Sequence, residues 1–96
     1  MRNLFLVAYD IADPKRLREM FRKMRGFGDH AQLSIFLCPL TPTEKVLLMA
    51  GVKGIINHAE DRVMIVNLGP VDGRGGGCVE FIGLKGDLPE SGVVVI

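Results

Sequence analysis

Residues 4–10 read LFLVAYD: six apolar or aromatic residues in a row, then a carboxylate, Asp10. A strand with one wet face alternates apolar and polar residues, whereas a run that is apolar throughout is buried on both faces. Residues 4–9 are therefore predicted as a strand held between two layers. Asp10 falls at its C-terminal end, where α/β proteins tend to place their sites. Outward from this strand, Asp13 and Pro14 fit the N-cap and first position of a helix. Leu17, Met20, Phe21 and Met24 then recur at i, i+3, i+4 and i+7, one helical stripe, and Gly26 and Gly28 end it.

Residues 32–36 (QLSIF) alternate and predict a half-exposed strand stopped by Pro39. Residues 41–44 (TPTE) carry a capping-box signature with proline at the first helical position. The helix they start is predicted to run to about Ile56, with Gly51 and Gly54 weakening it by up to ~1 kcal/mol each relative to alanine. Residues 63–68 (VMIVNL) form a second nearly continuous apolar strand, and residues 69–77, with five glycines and a proline, a flexible loop. Two short strands are predicted at 79–82 and 93–96. There is no internal repeat and no linker, so residues 1–96 read as one domain. One strand between the helices and three after them fit best, though awkwardly, to an α+β fold of the split-βαβ, ferredoxin-like kind, βαββαβ with an extra C-terminal strand.

Two helices cover one face of such a sheet. Because the strands at 4–9 and 63–68 are apolar on both faces, the other face is expected to be covered by a second copy of the chain, the closing VVVI strand adding to the partner's sheet. Nearly half of the 96 residues are apolar, enough for one core. The first residues do not form a signal peptide and no stretch is long enough to span a membrane, so a cytoplasmic protein is expected. Cys38 and Cys78 match no zinc spacing and are expected to be reduced and largely buried.

The net charge of +1 says nothing about a polyanionic partner, but its distribution does. Residues 1–30 hold seven basic and four acidic side chains, and the rest of the chain five and seven. Within the first helix, Lys15, Arg18, Arg22 and Arg25 fall within about 80° of one another, beside the apolar stripe, with Arg16 and Lys23 on its other flank. This is either a solvated face or a row of phosphate contacts along a nucleic acid. Tyr9 and Phe36 are either core or stacking residues. Asp10 is either a turn residue accepting the next backbone N–H groups or a metal ligand. One carboxylate is a poor magnesium site, but a two-fold dimer supplies two copies of Asp10, which can hold one Mg²⁺ that activates water and neutralises a phosphodiester. The GRGGG run at 73–77 lacks the ending of a P-loop and reads as a connection. His30 and His58 are isolated, and Ser34 is placed mid-strand.

Tyr9-Asp10-Ile11, then Asp13-Pro14-Lys15-Arg16-Leu17-Arg18, then Gln32-Leu33-Ser34-Ile35-Phe36 resemble the family of CRISPR-associated protein two, the small protein of the spacer-acquisition complex. The resemblance continues to Leu68-Gly69, to Glu80-Phe81-Ile82-Gly83 and to the closing valines. It implies a ferredoxin-like fold in which the strand at 79–82 closes the sheet and the last strand crosses onto the partner of a homodimer. It also implies a Mg²⁺-dependent endonuclease acting on single-stranded RNA or double-stranded DNA. The same dimer would bridge CRISPR-associated protein one, the integrase, and support the protospacer DNA. By motif, Asp10 becomes the metal ligand and catalytic residue, and Tyr9, Arg16, Arg18, Ser34 and Phe36 surround the cleft, with Arg22 added from the basic helix. His30 stands where the family often has arginine, removing a permanent charge. Leu37 stands where it often has glutamate, a change in packing or in a partner contact. A stand-alone, toxin-like, metal-dependent ribonuclease of similar fold is the competing expectation.

Overall fold

A computed structural model describes residues 1–83 and the backbone of Val93–Val95. Strand β1 (Asn3–Asp10) alternates as a pleat must: Phe5, Val7 and Tyr9 are buried on one face, and Leu4, Leu6 and Ala8 are half-buried on the other. Helix α1 (Pro14–Met24) starts as expected, the Asp13 carboxylate accepting the Arg16 N–H at 2.9 Å. Met20 and Met24 are fully buried beneath it. Past the helix the chain passes so close to the Leu37 carbonyl and Cys38 that any Cβ at Gly28 would collide with both.

The single strand expected at 32–36 is instead a hairpin. Strand β2 (Asp29–Gln32) turns at Leu33 and Ser34 into β3 (Ile35–Leu40). Leu33 takes a positive φ of 40°, rare for a residue with a branched side chain, and the His30 ring braces the turn, Nε2 lying 2.6 Å from the Leu33 carbonyl oxygen. Ser34 thus sits in a turn, not mid-strand. Pro39 does not end the strand either. The Tyr9 N–H bonds the Ser34 carbonyl, and with the β1–β3 register this turns the Pro39 nitrogen away from β1, toward the side where β2 has already ended opposite Leu37.

Helix α2 (Pro42–Ile55) has its capping box closed in both directions: Thr41 N–H to Glu44 at 2.8 Å and Glu44 N–H to Thr41 at 3.1 Å. Strand β4 (Arg62–Pro70) returns antiparallel to β1, giving the sheet order β2-β3-β1-β4. With the hairpin counted, the chain runs βαββαβ and closes at β4, which is the ferredoxin-like arrangement. The strand that closes the sheet is therefore β4, not the one at 79–82. That segment, β5 (Val79–Phe81), pairs in parallel with β6 (Val93–Val95) as a separate two-stranded ribbon; Ile96 lies outside the described residues. The glycine-rich stretch is also not a loose loop. It carries a single helical turn, α3 (Arg74–Gly77), packed so tightly that a Cβ on Gly75 would strike the Gly69 carbonyl.

The helix-side core is built from β1, β3 and both helices, with Phe36, Met20, Met24, Leu48 and Val7 wholly buried. On the opposite face Leu37 and Ala31 are buried with Leu4, Leu6 and Ile35 around them, and Val79 and Phe81 of β5 cover part of this cluster from within the chain. Met64 (53% exposed) and Val66 (37%) of β4 stay open on that face. No helix among the described residues is long and apolar enough to cross a membrane.

Candidate nucleic-acid interface and metal ligand

Asp10 is the last residue of β1, exposed, and opposite Arg62 in the β1–β4 register. The pleat points it to the open face, away from Tyr9, which points toward the helices. The turn role open to it is filled by another residue: the Ala12 N–H donates to Asp61 Oδ1 at 3.0 Å, and Asp13 caps α1. Among the described residues no hydrogen bond or ion pair engages the Asp10 carboxylate. An exposed, unengaged carboxylate suits a hard cation such as Mg²⁺, which takes one or two carboxylates and keeps several waters. No group of three or more potential metal ligands gathers among the described residues.

Asp61 has no counterpart in the sequence expectations. Its side chain is fully withdrawn from solvent. It accepts the Ala12 N–H, the Asn57 N–H at 2.8 Å, and two bonds from Arg16, Nε at 2.9 Å and Nη2 at 3.2 Å. The Arg16 bonds, then the two backbone N–H groups, outweigh the cost of burial and hold its carboxyl far below the usual range. Arg16 also reaches Glu60 at 3.0 Å. The guanidinium expected at the cleft is thus committed to the fold. The only sequence signal was an aspartate between the Asn57 turn and a strand.

Three of the remaining basic residues line a groove of about 430 Å³ between α1 and the β2–β3 turn. Tyr9 and Ser34 line it from the sheet, Leu17 and Phe21 from the helix, and Arg18, Arg22 and Arg25 form its positive wall. The structure therefore brings Tyr9, Arg18, Arg22 and Ser34 together with Arg25 of the same helix flank and leaves Lys15, Arg16 and Phe36 out; the Arg25 guanidinium lies 5.8 Å from the Phe21 ring centroid. None of the three arginines is in an ion pair among the described residues. Phe36 is 0% exposed, with Tyr9, Phe21 and His30 centred 6.3, 5.5 and 5.1 Å away. It is core and cannot stack on a base. Tyr9, 7% exposed, is core as well, showing the groove little beyond its edge, and burial pushes its phenol pKa up. His30 serves the turn and the aromatic cluster, and Leu37 packs on the open face. Burial, with the Asp29 charge adding, pushes the Cys38 thiol up to about 12; Cys78, expected to be largely buried, is exposed.

Comparison with known proteins places this geometry. The profile of the family described as CRISPR associated protein Cas2 matches residues 3–72, β1 through β4, so the likeness at Glu80–Gly83 and the closing valines lies outside the matched span. The CRISPR-associated endoribonuclease Cas2 of Geobacter sulfurreducens is 43% identical over 72 residues, 75% of this chain and 76% of that protein. A relative of the same description, Cas2 1 of Rhodospirillum rubrum, is 40% identical over 68 residues, 71% of this chain and 67% of its own. Among solved structures, Streptococcus pyogenes Cas2 superposes with a TM-score of 0.65 at 32% identity, over 69% of this chain and 86% of that one. The ferredoxin-like order and these likenesses agree: the chain belongs to the Cas2 family of CRISPR-associated proteins.

Proposed function

We propose that this chain acts in CRISPR spacer acquisition as a homodimer that bridges integrase dimers and supports protospacer DNA, and that the same dimer carries a Mg²⁺-dependent endonuclease site for RNA or DNA. The observation that carries the reading is the wall of Arg18, Arg22 and Arg25, three cations on one helix face without an acidic partner among the described residues. Such a row fits the phosphates of a nucleic-acid strand. Support for the dimer comes from the apolar open face, where Met64 and Val66 stay exposed beside the strand that ends in Asp10. Joining two copies by that face supplies the second carboxylate. When bound, Mg²⁺ lowers the pKa of a water and offsets the phosphodiester charge. Arg18, Arg22 and Arg25 hold flanking phosphates, Tyr9 and Ser34 shape the groove floor, and the Asp10 carboxylates hold the cation. Membership of the Cas2 family, whose relatives are named endoribonucleases, favours this reading over a free-standing toxin-like ribonuclease.

The test is Asp10→Ala, assayed for Mg²⁺-dependent cleavage of RNA and DNA and, with the integrase, for spacer acquisition. Cleavage is expected to fall by at least about a hundredfold while acquisition persists. Cleavage that survives removes Asp10 from the chemistry; acquisition that fails makes the chemistry part of the main task.

A further inference from the structure

We propose that Asp61, with Arg16, is a positioning residue that fixes the end of β1 and so the place of the Asp10 carboxylate. The inference rests on the reading of Asp10 as a metal ligand.

Four donors converge on the one carboxylate of Asp61: the Ala12 N–H, the Asn57 N–H, and Nε and Nη2 of Arg16. Ala12 is two residues beyond Asp10. Asn57 opens the turn that leads into β4, and Asp61 itself directly precedes Arg62, which lies opposite Asp10. One side chain therefore ties together the exit from β1, the entry to β4 and the first turn of α1. Strand ends fray unless their terminal N–H groups are held, and a metal ligand must be placed to within about 0.5 Å. Among the described residues no side-chain bond holds the Asp10 carboxylate, so its placement depends on the backbone ladder that carries it. Asn57 and Glu60 already stabilise that turn locally, through the Ala59 N–H to Asn57 Oδ1 at 2.9 Å and the Glu60 N–H to the Asn57 carbonyl at 3.1 Å. What Asp61 adds is the reach across to Ala12 and Arg16.

The full-length protein carrying Asp61→Asn, Asp61→Ala or Arg16→Lys is titrated with Mn²⁺ alone, followed by electron paramagnetic resonance. The titrations are run well below each variant's melting temperature, with circular dichroism confirming the fold. Exchange of the Ala12 amide is measured on the same samples. Asp61→Ala is expected to weaken Mn²⁺ binding by about 10- to 100-fold, the usual effect of losing a partner behind a ligand, and to speed Ala12 exchange at least about tenfold. Asp61→Asn keeps an acceptor oxygen for Ala12 and is expected to lose less. Arg16→Lys keeps the charge but not the fork, and is expected to shift both readouts in the same direction without unfolding the chain. A purely structural role would lower the melting temperature and leave Mn²⁺ affinity in the folded protein unchanged; that result overturns the proposal. If Asp10→Ala binds Mn²⁺ as the wild type does, the metal reading of Asp10 falls and takes this inference with it. If Asp10→Ala loses the ion while the folded Asp61 and Arg16 variants keep it, only this inference falls.

Discussion

At the scale of single residues, the molecule separates two carboxylates by environment. Asp10 is exposed and unengaged among the described residues, whereas the Asp61 side chain is withdrawn from solvent and saturated with donors. The second has a consequence for acid stability. In the unfolded chain Asp61 titrates near the ordinary value of about 3.9, and in the folded chain far below it. Below that pH the unfolded state takes up a proton that the folded state does not. The stability Asp61 contributes is therefore complete above about pH 5 and is lost as the pH falls through about 4 toward the depressed folded value. Glu44, held low first by its hydrogen bond from Arg2 and then by the Thr41 N–H, contributes with the same sign. Urea titrations at a series of pH values are expected to show a midpoint that is level from about pH 7 to 5 and drops steeply below 4. Asp61→Asn is expected to start lower and drop less. An equally steep acid limb in the variant would assign it to other carboxylates.

At the scale of elements, α1 combines two jobs on two flanks. Its Arg16 side is welded to the β4 approach, and its Arg18, Arg22 and Arg25 side walls the groove. Each arginine that contacts a phosphate adds about 0.7–0.9 to the salt slope of binding. Arg22→Ala and Arg25→Ala are expected to lower the slope of log affinity against log salt by roughly one each, and the charge-removing Arg16→Gln to leave it unchanged. Fluorescence anisotropy with a labelled duplex measures this; a slope that falls only for Arg16 would reverse the assignment of the two flanks. The caps of α1 and α2 were legible in the sequence because Asp13 and Thr41 act three residues away. The β2–β3 hairpin was not, because QLSIF alternates like one strand and leucine gives no hint of a positive φ at Leu33. Asp61 was invisible for another reason: its partners Ala12 and Arg16 lie 49 and 45 residues away. The same holds for strand order. Apolar patterning placed strands at 63–68 and 79–82, but only their contacts show that β4 lies against β1 and that β5 stands apart. At the groove, Arg18 and Arg22, singled out by pattern and resemblance, line one wall with Tyr9 and Ser34. Pattern left Phe36 open between core and stacking, since both occupy the same alternation, and the resemblance set it at the cleft; its full burial makes it core.

At the scale of the whole molecule, the chain spans 35 × 31 × 19 Å, a thin slab with helices on one broad face. The other face is closed in part by β5 and left apolar along β4. Under the proposed dimer, Met64→Lys puts a charge into the joint without disturbing the chain's own core, because Met64 is half exposed. Sedimentation is expected to give twice the 10.5 kDa chain mass for the wild type and the single mass for the variant. A variant that stays dimeric places the joint elsewhere. The pleat at Tyr9 and Asp10 sets these two faces apart by a single step of the backbone: the groove is assembled on the Tyr9 side and the carboxylate stands on the other. Under the proposed function, a lineage carrying this sheet can therefore lose the metal ligand by one codon change at position 10 and keep every groove residue in place, or change the groove while the carboxylate persists. The two features meet on β1 only at the neighbouring residues Tyr9 and Asp10 and are free to diverge.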